Sequence, residues 1–276
     1  MIKIYRNFQN YSVEPFIVAA IWQQCVIKDQ TGDFSFIYAS VLGLSVWLAY
    51  SIDRFFEPVY ETSHSSERYQ VLQKIKKAFL VIWFSFILVN LYLIILHLSV
   101  FVIVFGLALI LCVIVNQYLS IIETKYFAVS FFSKEFRTTI LFSLGILFFP
   151  AVDIGMKIQD MLIVLALLIN SIFLNCAITS FFERKYDIKR NSLSFLQVSK
   201  KRLRKSIVTM VIFFLIIFPF VAVKKNYNTI IDAYLFTFPS LLVVLFINST
   251  IDNKRRITDT ILWVVPLITL IFISDI

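Results

Sequence analysis

The chain has 276 residues, of which 59% are hydrophobic and only 16% charged, with a mean hydropathy of +0.85 and a net charge of +9. Soluble domains carry roughly 45–50% apolar and about 25% charged residues, so this composition excludes soluble, disordered and secreted disulfide-rich classes together. About 20 apolar residues cross a bilayer, which leaves material for roughly eight or nine spans with short connections and predicts an all-α, polytopic membrane protein.

The apolar runs, separated by charged or polar stretches, predict helices over 13–27, 35–52, 78–97, 99–122, 138–152, 159–182, 206–223, 230–250 and 258–274. The N-terminus, Met1 to Gln24, carries Glu14 inside its apolar run and has no small-residue cleavage pattern, so it reads as part of the first span and not as a removable signal peptide. Only His97 breaks the long stretch 78–122. Cys25, Cys112 and Cys176 are odd in number, lie in apolar segments and lack metal-ligand spacing, so they read as buried thiols. The expected organisation is a single integral membrane domain, 1–276. It has two four-helix halves, about 1–125 and 126–252, and a ninth helix, 258–274.

With nine spans the basic residues sort between alternate loops. One side takes Lys3, Arg6, Arg54, Arg68, Lys74, Lys76, Lys77, Lys125, Lys134, Arg137, every basic residue from Arg184 to Lys205, and Lys254 to Arg256. The other side keeps only Lys28, Lys157, Lys224 and Lys225. Basic residues stay cytoplasmic, which puts the N-terminus inside and the C-terminus outside. The positive charge that would suggest nucleic acid on a soluble protein is therefore a topology signal, and no nucleic-acid partner is expected.

Two loops on the basic side open with a pair of carboxylates. Tyr50-Ser-Ile-Asp53-Arg-Phe-Phe-Glu57 closes the second span and Phe181-Phe-Glu183-Arg-Lys-Tyr-Asp187 closes the sixth. Four residues apart on a continuing helix, each pair shares one face, with Cβ atoms about 5–6 Å apart. Like charges at that spacing repel, and negative charge at a helix C-terminus opposes the macrodipole, so something cationic belongs there. Magnesium suits carboxylates together with phosphate oxygens, and two facing pairs would hold a magnesium-diphosphate between them. A plainer reading makes these interfacial charges offset by Arg54, or by Arg184 and Lys185. Their matching places, four spans apart, favour a shared role and a four-helix repeat.

Acidic motifs after the second and sixth of nine helices, on the cytoplasmic side, resemble the UbiA superfamily of intramembrane prenyltransferases. The string Tyr50, Asp53, Arg54, Glu57 is similar to an uncharacterised branch of it. So are Lys134-Glu135, Asn175 with Glu183 and Asp187, Ser192-Leu193, and Arg256-x-x-Asp259 followed by Pro266. The resemblance implies a central cavity open to lipid, with an isoprenyl diphosphate bridged to both acidic motifs by two Mg2+. Asp53 and Glu57 would match the first metal motif, Glu183 and Asp187 the second. The chain departs from the usual pattern at Ala49, where the family has Asn, and at Glu57 and Glu183, where Asp is usual.

Basic side chains on pyrophosphate stabilise charge that develops as the substrate ionises, and Arg68, Lys134 and Arg54 are the candidates. Each also serves as a positive-inside anchor. Aromatic faces stabilise a carbocation, which singles out Phe56 and Phe182 beside the motifs, with Phe55 and Phe181 next to them. Tyr50, Asn175 and Asp259 complete the expected substrate pocket. Asn175 and Asn248, read as lying inside spans, should face the bundle interior, and Thr258 with Asp259 also suits a helix start. His64 and His97 read as interfacial. The basic stretch Ser192 to Lys205 reads as a lid or an interfacial helix attracted to anionic lipid.

The leading expectation is a magnesium-dependent enzyme, in a prokaryotic plasma membrane with its site near the cytoplasmic face, that transfers a prenyl group to a lipophilic acceptor. Two alternatives stand beside it. One is a terpene cyclase sharing the ionisation site; the other is a transporter or a silent membrane scaffold. Ionisable residues are nearly absent from the spans, which argues against a midplane ion pathway.

Overall fold

Each of the nine apolar runs forms one helix. The computed structural model describes residues 11, 13–60, 75–126, 133–190, 194, 196–197, 199–222 and 228–272; within these ranges the side chains of 53–54, 56–60, 121–126, 185–187, 189–190, 220–222, 228 and 252 lie outside the description. Among the described residues the helices are α1 (Val13–Thr31), α2 (Phe36–Tyr60), α3 (Lys76–His97), α4 (Val100–Tyr126), α5 (Lys134–Val152), α6 (Ile158–Arg190), α7 (Lys200–Ala222), α8 (Asn228–Val244) and α9 (Ile251–Phe272), and no strand occurs.

The helix ends depart from the apolar runs for local reasons. Caps and backbone dihedrals terminate helices, whereas hydropathy marks only where a segment ceases to suit lipid. α1 continues to Thr31 and stops at Gly32, whose φ of 80° suits a residue without Cβ. α5 starts at Lys134 because the Ser133 hydroxyl accepts from the Phe136 N–H at 3.3 Å. α2 and α6 run about two turns past the expected ends, so both acidic strings lie on continuous helix. α8 ends at Val244 and α9 begins at Ile251, with Thr250 accepting from the Asn253 N–H at 3.3 Å. That corrects two expectations. Asn248 is an exposed connecting residue and not part of a span. Thr258 does not start a helix: it lies two turns inside α9, fully buried, donating to the Lys254 carbonyl at 2.8 Å.

Cross-helix hydrogen bonds give the course of the chain. The Gln117 amide of α4 donates to the Ala49 carbonyl of α2, Arg137 of α5 to Asn116 of α4, and Ser180 of α6 to Glu135 of α5. Arg255 of α9 pairs with Glu183 of α6. The C-terminal ends of α2, α4 and α6 therefore gather with the N-terminal ends of α5 and α9. This is the basic end. At the other end Tyr38 donates its hydroxyl to Asp153, and Asp29 of α1 accepts from the N–H groups of Thr229 and Ile230 at 3.1 and 2.9 Å, capping α8. Gln24 and Ser35 exchange two hydrogen bonds across the α1–α2 turn, at 3.0 and 2.8 Å. These helices alternate in direction.

The segments 76–97, 100–120, 134–152 and 158–184 are long and apolar enough to cross a membrane, and shorter apolar helices cover 36–52 and 229–244. α3 and α4 present Val81, Leu88, Ile95, Val104, Leu107 and Leu111 to the surroundings. Apolar faces of that extent are compatible with an integral membrane protein. Cys112 of α4 is exposed, not buried, for the same reason, and His97 sits exposed at the α3 turn.

α3 leans on α2 and α4 on α5. The core lies among α1, α5, α6, α8 and α9, where Trp22, Ile146, Leu167, Leu174, Tyr234 and Phe238 are fully or almost fully enclosed. α1 and α6 each pack against α5, α8 and α9. α1 meets α2 closely at Gly43, where a Cβ would stand 2.7 Å from the Phe16 ring. α7 lies on α6, and Phe214 stacks on Phe238 of α8 at 4.4 Å.

Candidate functional site

At the basic end the acidic turn of α6 already has cationic company, and it comes from α9. Arg255 donates to Glu183 Oε1 at 2.6 Å, with the arginine 14% exposed and the glutamate 32%. One residue along each helix, the Lys254 ammonium stands 5.4 Å from the centre of the buried Phe182 ring. Arg184, the sequence neighbour expected to offset Glu183, instead donates to the Gln197 carbonyl at 2.7 Å. The repulsive, dipole-opposed acid of α6 is thus offset by the first turns of an antiparallel helix 72 residues away.

Beside this pair Glu135 forms a second acidic centre. Its side chain is buried at the start of α5, where Oε1 accepts from the hydroxyls of Ser180 and Ser194. Gln197 closes the arrangement: its amide accepts from the Ser194 N–H at 2.9 Å and donates to the Ser180 carbonyl at 3.2 Å. Leu196 and Leu203 pack with Phe173 beneath it. The part of 192–205 expected as a lid is therefore bound down onto α5 and α6 at Ser194 and Gln197. From Lys200 the chain is the first turn of α7.

The other expected residues fall as follows. Tyr50 is half-buried and meets Phe142 of α5 edge-on at 6.4 Å. Asn175 is buried in α6, with Oδ1 enclosed and without a hydrogen-bond partner among the described residues. Lys134 is exposed beside Glu135, and Asp259 is half-buried one turn beyond Arg255. Phe55 is buried on Phe79 at 4.9 Å and so faces α3. Asp53, Arg54, Phe56, Glu57 and Asp187 lie on described helix with their side chains outside the description; Arg68, Ser192 and Leu193 lie outside it altogether, as does His64.

Among the described residues no three His, Cys, Asp or Glu side chains converge as a metal site. Glu183 has the hard oxygen donors that Mg2+ takes, one of them engaged by Arg255. Arg255, Ser180, Ser194 and Gln197 are the residues that sequence reasoning passed over. Nothing local links Ser194 to Glu135 across 59 residues. A signal did exist on α6, where Ser171, Asn175, Thr179, Glu183 and Asp187 recur every four residues as a polar stripe in an apolar helix. Comparison with protein-family models, curated proteins and solved structures returned no match.

Proposed function

We propose that the protein is an integral membrane enzyme of nine transmembrane helices around a lipid-open cavity. In this reading it ionises an isoprenyl diphosphate with Mg2+ at its cytoplasmic, basic face and transfers the prenyl group to a lipophilic acceptor. One observation carries the reading: Asp53/Glu57 and Glu183/Asp187 lie on the helical continuations of α2 and α6, and both continuations end at the basic end of the bundle. Two carboxylate pairs at helical spacing, on stretches of sequence rich in Lys and Arg, suit a dianionic head held by divalent metal.

Mg2+ would be held by Asp53, Glu57, Glu183 and Asp187, and it supplies neutralisation of charge on the leaving pyrophosphate. Lys134, Arg54 and Arg68 would receive the phosphate oxygens, and Arg255 stands on Glu183 until the substrate complex draws it away. Phe56, Phe182 and Tyr50 would line the first part of the prenyl chain, with Asn175 and Asp259 nearby.

The test is turnover of prenyl diphosphates of different length by the purified protein in nanodiscs, with Mg2+ and with EDTA. Asp53→Ala and Asp187→Ala should each abolish metal-dependent pyrophosphate release; unchanged release in both sinks the assignment. A cyclic hydrocarbon or alcohol formed from geranylgeranyl diphosphate alone would make the enzyme a cyclase and not a transferase.

A further inference from the structure

An open groove follows α1 at the end of the bundle opposite the acidic turns. Its floor is one stripe of α1, where Ala20, Gln24 and Lys28 recur every four residues with Ile21 beside them. Phe34, Phe36 and Ala39, at and before the start of α2, line one side, and Leu270 and Ile271 of α9 the other. The short side chains of Ala20 and Ala39 leave a space of about 580 Å³, and Phe34, Phe36 and Ile271 are exposed along it.

Direct contacts fix the register of this groove. The Trp22 indole N–H donates to the Leu262 carbonyl, and the Cys25 thiol contacts the Pro266 carbonyl, so α1 and α9 run parallel and Lys28 stands level with Thr269 and Leu270. Gln24 exchanges two hydrogen bonds with Ser35, which ties the start of α2 to α1 and engages both ends of the amide. Below Lys28 the groove therefore offers a guest mainly hydrocarbon. Residues 15–27 contain no Asp, Glu, Lys, Arg or His, so Lys28 marks where α1 leaves apolar sequence. Its ammonium stands 5.0 Å from the centre of the Phe34 ring. From Ala20 to Lys28 the floor is about 12 Å long at about 1.5 Å per residue.

An apolar channel that ends in an ammonium group is complementary to a molecule built in the same order, an alkyl chain and then a phosphate. A partner's transmembrane helix, about 10–12 Å across, would need about 900 Å³ or more over the same length, which exceeds the groove. We propose that the groove binds one phospholipid of the surrounding bilayer, with an acyl chain along Ala20, Ile21 and Leu270 and its phosphate on Lys28. An acyl chain gains little by exchanging lipid neighbours for apolar side chains, so the charge-assisted contact at Lys28 decides whether the lipid stays. Asp33, exposed one residue before Phe34, adds negative charge near the head and favours a zwitterionic phospholipid. The site rests on the embedding of α1 in a bilayer and not on the chemistry proposed at the acidic turns.

The experiment titrates the full chain, delipidated in dodecylmaltoside, with dioleoylphosphatidylethanolamine and counts bound lipid by native mass spectrometry. Dioleoylglycerol, with the same chains and no phosphate, is the control; the zwitterionic head avoids the general attraction of the basic end for anionic lipid. The wild-type protein should hold one phosphatidylethanolamine more tightly than any dioleoylglycerol. Lys28→Met should weaken that binding about tenfold or more, and Lys28→Arg should keep it. Ala20→Leu fills the floor and should abolish it; should that variant fail to fold, Ala39→Leu narrows the groove from its side with the same expected result. Equal affinity in Lys28→Met, or equal affinity of the wild-type protein for both lipids, overturns the site. Release of the chain from membranes by carbonate washing overturns the embedding and the site with it, whereas retention with unchanged binding by Lys28→Met overturns the site alone.

Discussion

Trp22 repairs a defect that Pro266 creates. Pro266 has no N–H, so the carbonyl four residues back, that of Leu262, loses its helical donor; the Trp22 indole N–H reaches that carbonyl at 2.8 Å from α1. The Cys25 thiol one turn along α1 contacts the Pro266 carbonyl at 3.9 Å. The proline inside α9 and the seating of α9 on α1 are thereby one feature.

Trp22→Phe leaves the Leu262 carbonyl buried and unpaired and should cost about 1–3 kcal/mol. Pro266→Ala restores the helical donor, so in the double variant the penalty of Trp22→Phe should shrink by about 1 kcal/mol or more. Chemical or thermal unfolding of the four proteins of this cycle checks the coupling; strict additivity refutes it.

Asp29 caps α8 with both carboxylate oxygens, although it belongs to α1 and lies 200 residues from Thr229. Asp29→Ala should destabilise the protein by about 0.5–2 kcal/mol, and hydrogen exchange should rise first at Thr229 and Ile230. Protection unchanged at those two amides would show that the cap contributes nothing.

Glu135 holds Ser194 and Ser180 together, with Gln197 bonded across them. Charge-assisted hydrogen bonds contribute about 1.5–3 kcal/mol, so Glu135→Ala should release 194–197 while α5 and α6 stay packed. Trypsin added from the basic side should then cut at Lys200 and Lys201 several-fold faster than in the wild-type protein. An identical cleavage rate would mean that the Gln197 bonds to Arg184 and Ser180, with Leu196, hold the segment without Glu135.

Arg255 competes for the carboxylate that the proposed metal site needs. Arg255→Gln removes the competing charge, so Mg2+ with pyrophosphate should protect this variant from thermal unfolding more than it protects the wild-type protein, even as the α6–α9 contact weakens. If protection is equal or lost, Glu183 serves only to dock α9.

Much of the architecture was legible in the sequence because lipid-compatible helices announce themselves. The nine apolar runs located nine helices, and the sorted Lys and Arg residues identified the end at which α2, α4 and α6 finish and α5 and α9 begin. The helix ends were less legible. Gly32, Ser133 and Thr250 set them through backbone geometry and capping, which moves the ends by about one to two turns from the limits of the apolar runs. The acidic strings of α2 and α6 were equally visible, since i, i+4 spacing is a local property.

Composition and spacing by themselves determined that the chain is helical and apolar, has one basic end, and carries two carboxylate pairs there on helical turns. Only the tertiary structure decided what meets those turns: Arg255 on Glu183, Lys254 on Phe182, and Ser194 on Glu135. The physical reason is range. Helix formation and lipid compatibility are summed over neighbouring residues, whereas a hydrogen bond or ion pair depends on the register between helices, and packing sets that register between side chains far apart in the chain.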